Sequence, residues 1–188
     1  MLYVPNEVIR SKELTNDEVV AYVFLQIHTY SVNYDSCQFT IPQVVDQIKG
    51  ITKSHSTYDT IATAIKNLIS KGVLIITQEN SKCWRIFMQS FEVPENGGFV
   101  KVDAEALRDI MDCKARGKAK LLRYYLLLLS YMHPTCKKEM TWFAQELGTS
   151  TRTISTYNHY LEELKLVKVS RADHFYEANT YSRYEDMV

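Results

Sequence analysis

The sequence lacks the features of a secreted or membrane-spanning protein. No apolar run approaches the roughly 18 residues that a membrane span needs, and the N-terminus has no basic and apolar segment of the kind found in secretory signals. The cysteines form no CxxC pair, so we expect reduced thiols at Cys37, Cys83, Cys113 and Cys136. These absences predict a cytoplasmic protein with no membrane partner.

An excess of charge of one sign is also missing. The chain has 22 basic and 22 acidic side chains and a formal net charge of zero, which argues against indiscriminate binding to polyanions. Residues 1–95 carry 8 basic and 10 acidic side chains, whereas residues 96–188 carry 14 and 12. If one half of the chain contacts phosphate, the second half is the better candidate.

What the sequence does contain is an internal duplication. The segment Leu2–Arg10 is similar to Phe99–Arg108, and each precedes a long apolar helix. We predict that helix over Asp17–Tyr30 in the first copy, with a capping box formed by Thr15 and Glu18 and with Val20, Phe24 and Ile27 on one face. In the second copy the helix ends at Met132. A repeat of about a hundred residues indicates a duplicated domain, because solenoid repeats run about 20–50 residues.

Glycine and proline, which favour breaks between domains, are scarce. There are six glycines and four prolines, and residues 92–98 form the only stretch rich in both. We therefore predict a first domain over residues 1–94, a linker at 95–98 and a second domain over residues 99–188.

The first copy continues with two helices and two β-rich runs. A helix starting at Ile41 ends at Gly50. An amphipathic helix starts near Ser56 and ends at a C-cap with Gly72 in the left-handed conformation. Val73–Thr77 and Cys83–Met88, joined by a polar turn, then predict a β-hairpin.

The second copy repeats this plan. Its two helices are predicted over Trp142–Leu147 and Arg152–Leu164, and its β-rich runs over Leu166–Val169 and Phe175–Tyr181. The periodicity of the second helix predicts an inward face of Ile154, Tyr157, Leu161 and Leu164. A shift of 93 residues aligns the amphipathic helices of the two copies. The pattern predicts a mainly α fold with small β-hairpins, an α+β class.

Two motifs carry a resemblance to known families. Residues 142–154, with the small Ala144 and the turn residue Gly148, resemble a helix-turn-helix. Val4–Arg10, followed by Leu14-Thr15 and Ala21-Tyr22, is similar to the opening of helix-turn-helix domains in replication initiators and DnaD-type replisome organisers of Gram-positive plasmids and phages. The resemblance implies two tandem winged-helix domains, although the second copy lacks the Pro-Asn pair.

In such domains the third helix enters the major groove of double-stranded DNA and the wing contacts the backbone. Carried over by position, the first copy would use Ser56, Thr57, Tyr58, Thr60 and Lys66, with Lys82 in its wing. The second copy would use Thr149, Ser150, Thr151, Arg152, Ser155, Thr156 and Asn158, with Arg171 in its wing. Arg152 would pair with guanine and Asn158 with adenine.

A cluster of basic residues precedes the long helix of the second copy, and it is the densest in the chain: Lys114, Arg116, Lys118, Lys120 and Arg123. It can hold the DNA backbone beside the second copy's third helix, or it can be a solvated helix start. Asp59 has the opposite effect, because its charge opposes phosphate. Its alternative roles are to accept from a cytosine amine or to stabilise a helix N-terminus through the dipole. In the last case the first domain dimerises or contacts another protein instead of reading DNA.

Patterns typical of enzymes and metal sites are weak. His133 and Cys136 lie close together, but a zinc site needs about four ligands and none gathers nearby. Gly97-Gly98 lacks the following lysine of a phosphate-binding loop. We expect no catalytic activity, no metal and no cofactor.

The function predicted from the sequence is double-stranded DNA binding in replication initiation or control on a plasmid, phage or other mobile element. The alternatives are a transcriptional regulator and a winged-helix adaptor between proteins. The expected partners besides DNA are replication proteins and a second copy of the chain in a homodimer.

Overall fold

The computed structural model describes residues 1–30, 36–48, 55–80, 82–92, 97–171 and 178–184. The chain divides into two compact units, Met1–Asp112 and Cys113–Val188. No helix within the described ranges combines the length and the apolar composition that a bilayer crossing requires.

The first unit contains two small antiparallel sheets, five α-helices and one 3-10 helix within its described residues. Its elements in chain order are β1 (Leu2–Pro5), α1 (Asn6–Arg10), α2 (Asn16–Tyr30), β2 (Ser36–Phe39), α3 (Ile41–Asp46), α4 (His55–Ser70), β3 (Ile76–Gln78), β4 (Trp84–Phe87), a short 3-10 helix (Met88–Phe91), β5 (Phe99–Val102) and α5 (Ala104–Asp112). β4 is the middle strand of the sheet β2-β4-β3, and β1 pairs with β5.

The second unit has one antiparallel sheet and three helices within its described residues. Its elements are α6 (Lys118–Tyr131), β6 (Thr135–Lys138), α7 (Met140–Glu146), α8 (Thr151–Glu163), β7 (Val167–Ser170) and β8 (Asn179–Arg183). The sheet order is β6-β8-β7, so the last strand again lies in the middle. From α2 to β4 and from α6 to β8, both units follow the order helix, strand, helix, helix, strand, strand. The α+β class predicted from the sequence is confirmed.

The long helix α2 begins where the sequence predicts a capping box. The backbone N–H of Thr15 donates to the Glu18 carboxylate at 2.8 Å, and the N–H of Glu18 donates to Thr15 Oγ1 at 3.2 Å. This reciprocal pair satisfies two of the N–H groups that a helix start leaves without partners. The predicted inner face, Val20, Phe24 and Ile27, is buried.

The helices α4 and α8 end in the same hydrogen-bonding pattern. Val73 N–H donates to the Leu68 carbonyl, and Leu166 N–H donates to the Leu161 carbonyl, both at 2.9 Å. The residue in the left-handed conformation is Gly72 (φ 70°) in the first unit and Lys165 (φ 56°) in the second. The predicted glycine cap is therefore confirmed, and a lysine fills the equivalent position.

Several strand boundaries differ from the prediction. β3 begins at Ile76, because the N–H groups of Val73 and Leu74 cap α4 by donating to the Leu68 carbonyl and are not free for a sheet. The strand β6 was not predicted. The predicted helix end at Gly50, the linker residues Glu95 and Asn96, and the segment Phe175–Glu177 lie outside the described residues.

The opening segments of the two sequence copies pair with each other. β1 and β5 run antiparallel, with Val4 opposite Val100 and Tyr3 opposite Lys101. As a result, β5 and α5 belong to the first compact unit, which ends at Asp112. The duplication predicts that they open the second domain, so the repeat in the sequence and the compact unit have different limits.

Candidate nucleic-acid interface

The first turns of α8 present a row of polar side chains to solvent. Ser150 caps the helix, because its Oγ accepts from the N–H of Thr153 at 3.2 Å. The exposed residues of this face are Thr151, Arg152, Ser155 and Thr156. The opposite face, Ile154, Tyr157 and Leu161, is buried, as predicted from the periodicity.

The turn before α8 is tight. Gly148 has φ 55°, and the N–H of Thr149 donates to the Ala144 carbonyl at 2.9 Å. A left-handed glycine at this position ends α7 and allows the chain to turn directly into α8. Thr153 is half-buried, and its hydroxyl lies 3.0 Å from Ser150 Oγ. It therefore adds to the polar side chains at this helix start. The sequence prediction missed Thr153, although its place three residues after the cap is a usable signal.

The basic segment 114–120, which leads into the first turn of α6, lies against this turn. Lys120 Nζ donates to the Gly148 carbonyl at 3.4 Å, and Tyr157 Oη donates to the Gly117 carbonyl at 3.3 Å. Lys114 and Arg116 are exposed, while Lys118 is half-buried. The structure therefore brings residues 114–120 next to the start of α8, although more than 25 residues of sequence separate them.

Arg171, which is predicted from the sequence to lie in a wing, is held by a carboxylate. Its guanidinium donates to Glu162 Oε2 at 2.9 Å, and the side chain is still 67% exposed. The residues that follow, 172–177, lie outside the described part of the chain.

Asn158 is not part of the exposed surface, which corrects the sequence prediction. It is 3% exposed, and its Oδ1 accepts from the hydroxyl of the fully buried Tyr124 at 2.5 Å. The alignment with a shift of 93 matches Asn158 with Ile65, a residue that is 0% exposed. Asn158 occupies a core position of α8, so it cannot reach a base edge without leaving the core.

The predicted residues of the first unit are more dispersed. Ser56, Thr60 and Lys66 are exposed along α4, and Thr57 and Tyr58 are half-buried. Lys82 lies elsewhere, beside a mainly apolar groove of about 420 Å³ that is lined by Thr40, Ile41, Pro42 and Trp84. The structure does not bring Lys82 together with the start of α4 in the lining of one cleft.

An open cleft of about 510 Å³ runs beside α4 and is acidic. Its lining includes Asp17, Glu18, His55 and Asp59. Asp59 Oδ2 lies 2.7 Å from His55 Nδ1, and both side chains are largely exposed. In contrast, Glu18 is 1% exposed and pairs with Lys71 Nζ at 2.7 Å.

The pKa of Glu18 reflects two opposing effects, burial and hydrogen bonding. Burial alone would raise the pKa, but hydrogen bonds from Lys71, the Thr15 backbone and Asn67 outweigh burial and hold it below the ordinary value. Glu18 is therefore ionised at neutral pH, and its charge is paired with that of Lys71.

The two units carry opposite net charges. Residues 1–112 hold 10 basic and 14 acidic side chains, whereas residues 113–188 hold 12 and 8. The formal charges are therefore −4 and +4. The charge difference is larger than between the two sequence halves, because Asp103, Glu105, Asp109 and Asp112 belong to the first unit.

Among the described residues, no group of three or more His, Cys, Asp or Glu side chains gathers as a metal site would require. A comparison of the chain with protein-family models and with curated proteins finds no match.

Proposed function

We propose that both units are winged-helix domains and that the second one binds double-stranded DNA. In this proposal the start of α8 enters the major groove, and the basic segment 114–120 contacts the adjacent phosphates. The observation that carries the proposal is the pair of contacts that join this segment to the turn and helix: Lys120 with the Gly148 carbonyl and Tyr157 with the Gly117 carbonyl. The element order and the strand order of each unit support the winged-helix assignment.

The chemistry of this surface suits a duplex. Hydroxyls and helix N-terminal N–H groups bind phosphate oxygens and fix the register without specifying sequence. Arg152 is exposed in the first turn of α8, and its guanidinium can pair with the O6 and N7 of guanine. Such a pair contributes about 1–3 kcal/mol of discrimination. The formal charge of +4 on the second unit favours the encounter with DNA.

We further propose that this binding serves replication initiation or control on a plasmid, phage or other mobile element. Support comes from the resemblance of Val4–Arg10 and the capped helix after it to replication initiators. A role in transcription would use the same DNA surface. The net charge of −4 on the first unit supports an adaptor role for that unit, with a replication protein or a second copy of the chain as its partner.

The proposal is tested with fluorescence anisotropy on a short labelled duplex from the DNA upstream of the chain's own gene, against a random duplex, over a salt series. We expect selective binding that weakens steeply as salt rises, because phosphate contacts release counterions. Arg152→Ala should lose selectivity, and Lys114→Ala should weaken binding to both duplexes and reduce the salt slope by about 1.

The matched control is Lys137→Ala, which removes an exposed positive charge from β6 of the same unit. It should leave both affinity and selectivity close to those of the wild type. Absence of binding to either duplex at low salt would refute DNA binding, and the adaptor role would then be the remaining function.

A further inference from the structure

The two units place opposite charges at equivalent positions of the same framework. The shift of 93 that aligns α4 with α8 matches Asp59 with Arg152. Both side chains are exposed, and the buried residues Ile61 and Ile154 follow them two positions later in each helix. In this alignment α4 begins one turn earlier than α8.

A second pair of opposite charges at equivalent positions lies at the start of the long helices α2 and α6. Val19 N–H donates to the Thr15 carbonyl, and Leu121 N–H donates to the Gly117 carbonyl. Thr15 and Gly117 therefore hold equivalent positions, each directly before the first residue of its helix. Three positions later stand Glu18 and Lys120. The basic residue of the second unit therefore corresponds to an ionised carboxylate in the first.

The rest of the α4 surface retains groups that suit phosphate. Ser56 and Thr60 are exposed hydroxyls on α4, and Lys66 is exposed further along the same helix. Their effect is opposed by the cleft beside them, where Asp17 and Asp59 are exposed. A carboxylate and a phosphate about 4 Å apart repel each other by about 1 kcal/mol even in bulk water.

We infer that Asp59 is the residue that confines DNA binding to the second unit, by repelling phosphate from the surface of α4 that corresponds to the start of α8. This inference depends on the proposed function. Asp59 acts as a specificity determinant, and the chain contacts duplex DNA through one of its two similar domains. The first unit is then available for a different partner.

The test uses the full chain in an Arg152→Ala background, where the contact of the second unit is weakened. Asp59→Arg is added to it, and binding to the short duplex is measured over the same salt series. We expect affinity to rise about fivefold and the salt slope to steepen by about 1, as for one new phosphate contact. Asp59→Asn, which removes the charge without adding one, should change affinity in the same direction by less.

The control is Asp109→Arg in the same background, because Asp109 is an exposed carboxylate on α5 of the first unit. It makes the same change in net charge on a different helix, so only a nonspecific effect of charge would raise its affinity. Urea unfolding followed by tryptophan fluorescence, in a Trp142→Phe background that leaves Trp84 as the only tryptophan, verifies that the first unit remains folded in each variant.

The outcomes separate the two proposals. If the wild type binds and Arg152→Ala weakens binding, but Asp59→Arg recovers no more affinity than Asp109→Arg, the role of Asp59 is refuted while DNA binding stands. If the wild type does not bind either duplex at low salt, the proposed function fails and this inference fails with it.

Discussion

Replacing Glu18 by Gln should destabilise the first unit and remove the part of its stability that is lost at acidic pH. The side chain is 1% exposed and accepts two hydrogen bonds on Oε2, from the Thr15 N–H at 2.8 Å and from Lys71 Nζ at 2.7 Å. Gln can still accept the backbone hydrogen bond through its amide oxygen, but it carries no charge to pair with Lys71.

The expected loss of stability depends on the environment that Lys71 keeps after the substitution. Hydrogen bonds to charged groups contribute about 1.5–3 kcal/mol, whereas a fully buried charge left unpaired would cost about 3–5 kcal/mol. The lower range applies, because the Lys71 side chain is 31% exposed and also donates to the Glu13 carbonyl. We therefore expect a loss of about 2 kcal/mol at pH 7.

The effect should disappear in acid. The folded-state pKa of Glu18 is lowered, so its contribution is complete above the unfolded-state pKa of about 4.3 and is lost as the pH falls through the folded-state value. The difference between wild type and Glu18→Gln should therefore be largest at neutral pH and should shrink below about pH 4.

The assay is urea unfolding followed by tryptophan fluorescence. The chain has two tryptophans, Trp84 in the first unit and Trp142 in the second, so a Trp142→Phe background reports only the first unit. With a slope of about 2 kcal/mol per M, the midpoint should fall by about 1 M. The control is Glu13→Gln, an exposed carboxylate in the preceding turn. An unchanged midpoint at pH 7, or a difference that does not shrink as the pH is lowered, would refute the reasoning.

Three other substitutions test the second unit by urea unfolding. Lys165→Gly should stabilise it by about 1 kcal/mol, because Lys165 has φ 56° and glycine adopts that conformation without strain; no gain would contradict this. Asn158→Ala should cost about 2 kcal/mol by leaving the buried Tyr124 hydroxyl without its acceptor, and adding Tyr124→Phe should recover part of the loss. Gly117→Ala should cost about 2 kcal/mol, because φ is 70° and the new Cβ would lie 2.9 Å from Tyr157 Oη. Gly72→Ala in the first unit, with the same φ and open space around it, should cost only about 1 kcal/mol, and equal losses would show that the Tyr157 contact is unimportant.

Much of the secondary structure could be predicted because its signals are local. The helical stripe Val20, Phe24 and Ile27, the capping box at Thr15 and the glycine cap at Gly72 each depend on residues within one or two turns. The strand β6 was missed, because Thr135–Lys138 has no strong alternation of its own and becomes a strand by pairing with β8, more than 40 residues later.

The candidate site was only partly predictable. Sequence position suggested that the exposed residues at the start of α8 and the basic segment 114–120 belong together. The same reasoning chose Asn158 wrongly, because an asparagine on an amphipathic helix is expected to be exposed unless a buried side chain forms a hydrogen bond with it. That partner is Tyr124, 34 positions earlier in the chain.

The sequence by itself determined the duplication, the α+β class and the positions of most helices, since periodicity and end caps act over a few residues. Only the tertiary structure decided that β1 pairs with β5, that Lys120 lies against the turn before α8, and that Glu18 is neutralised by Lys71. These contacts join residues that are 28 to 100 positions apart. They depend on how the chain folds back on itself, which periodicity and end caps over a few residues cannot specify.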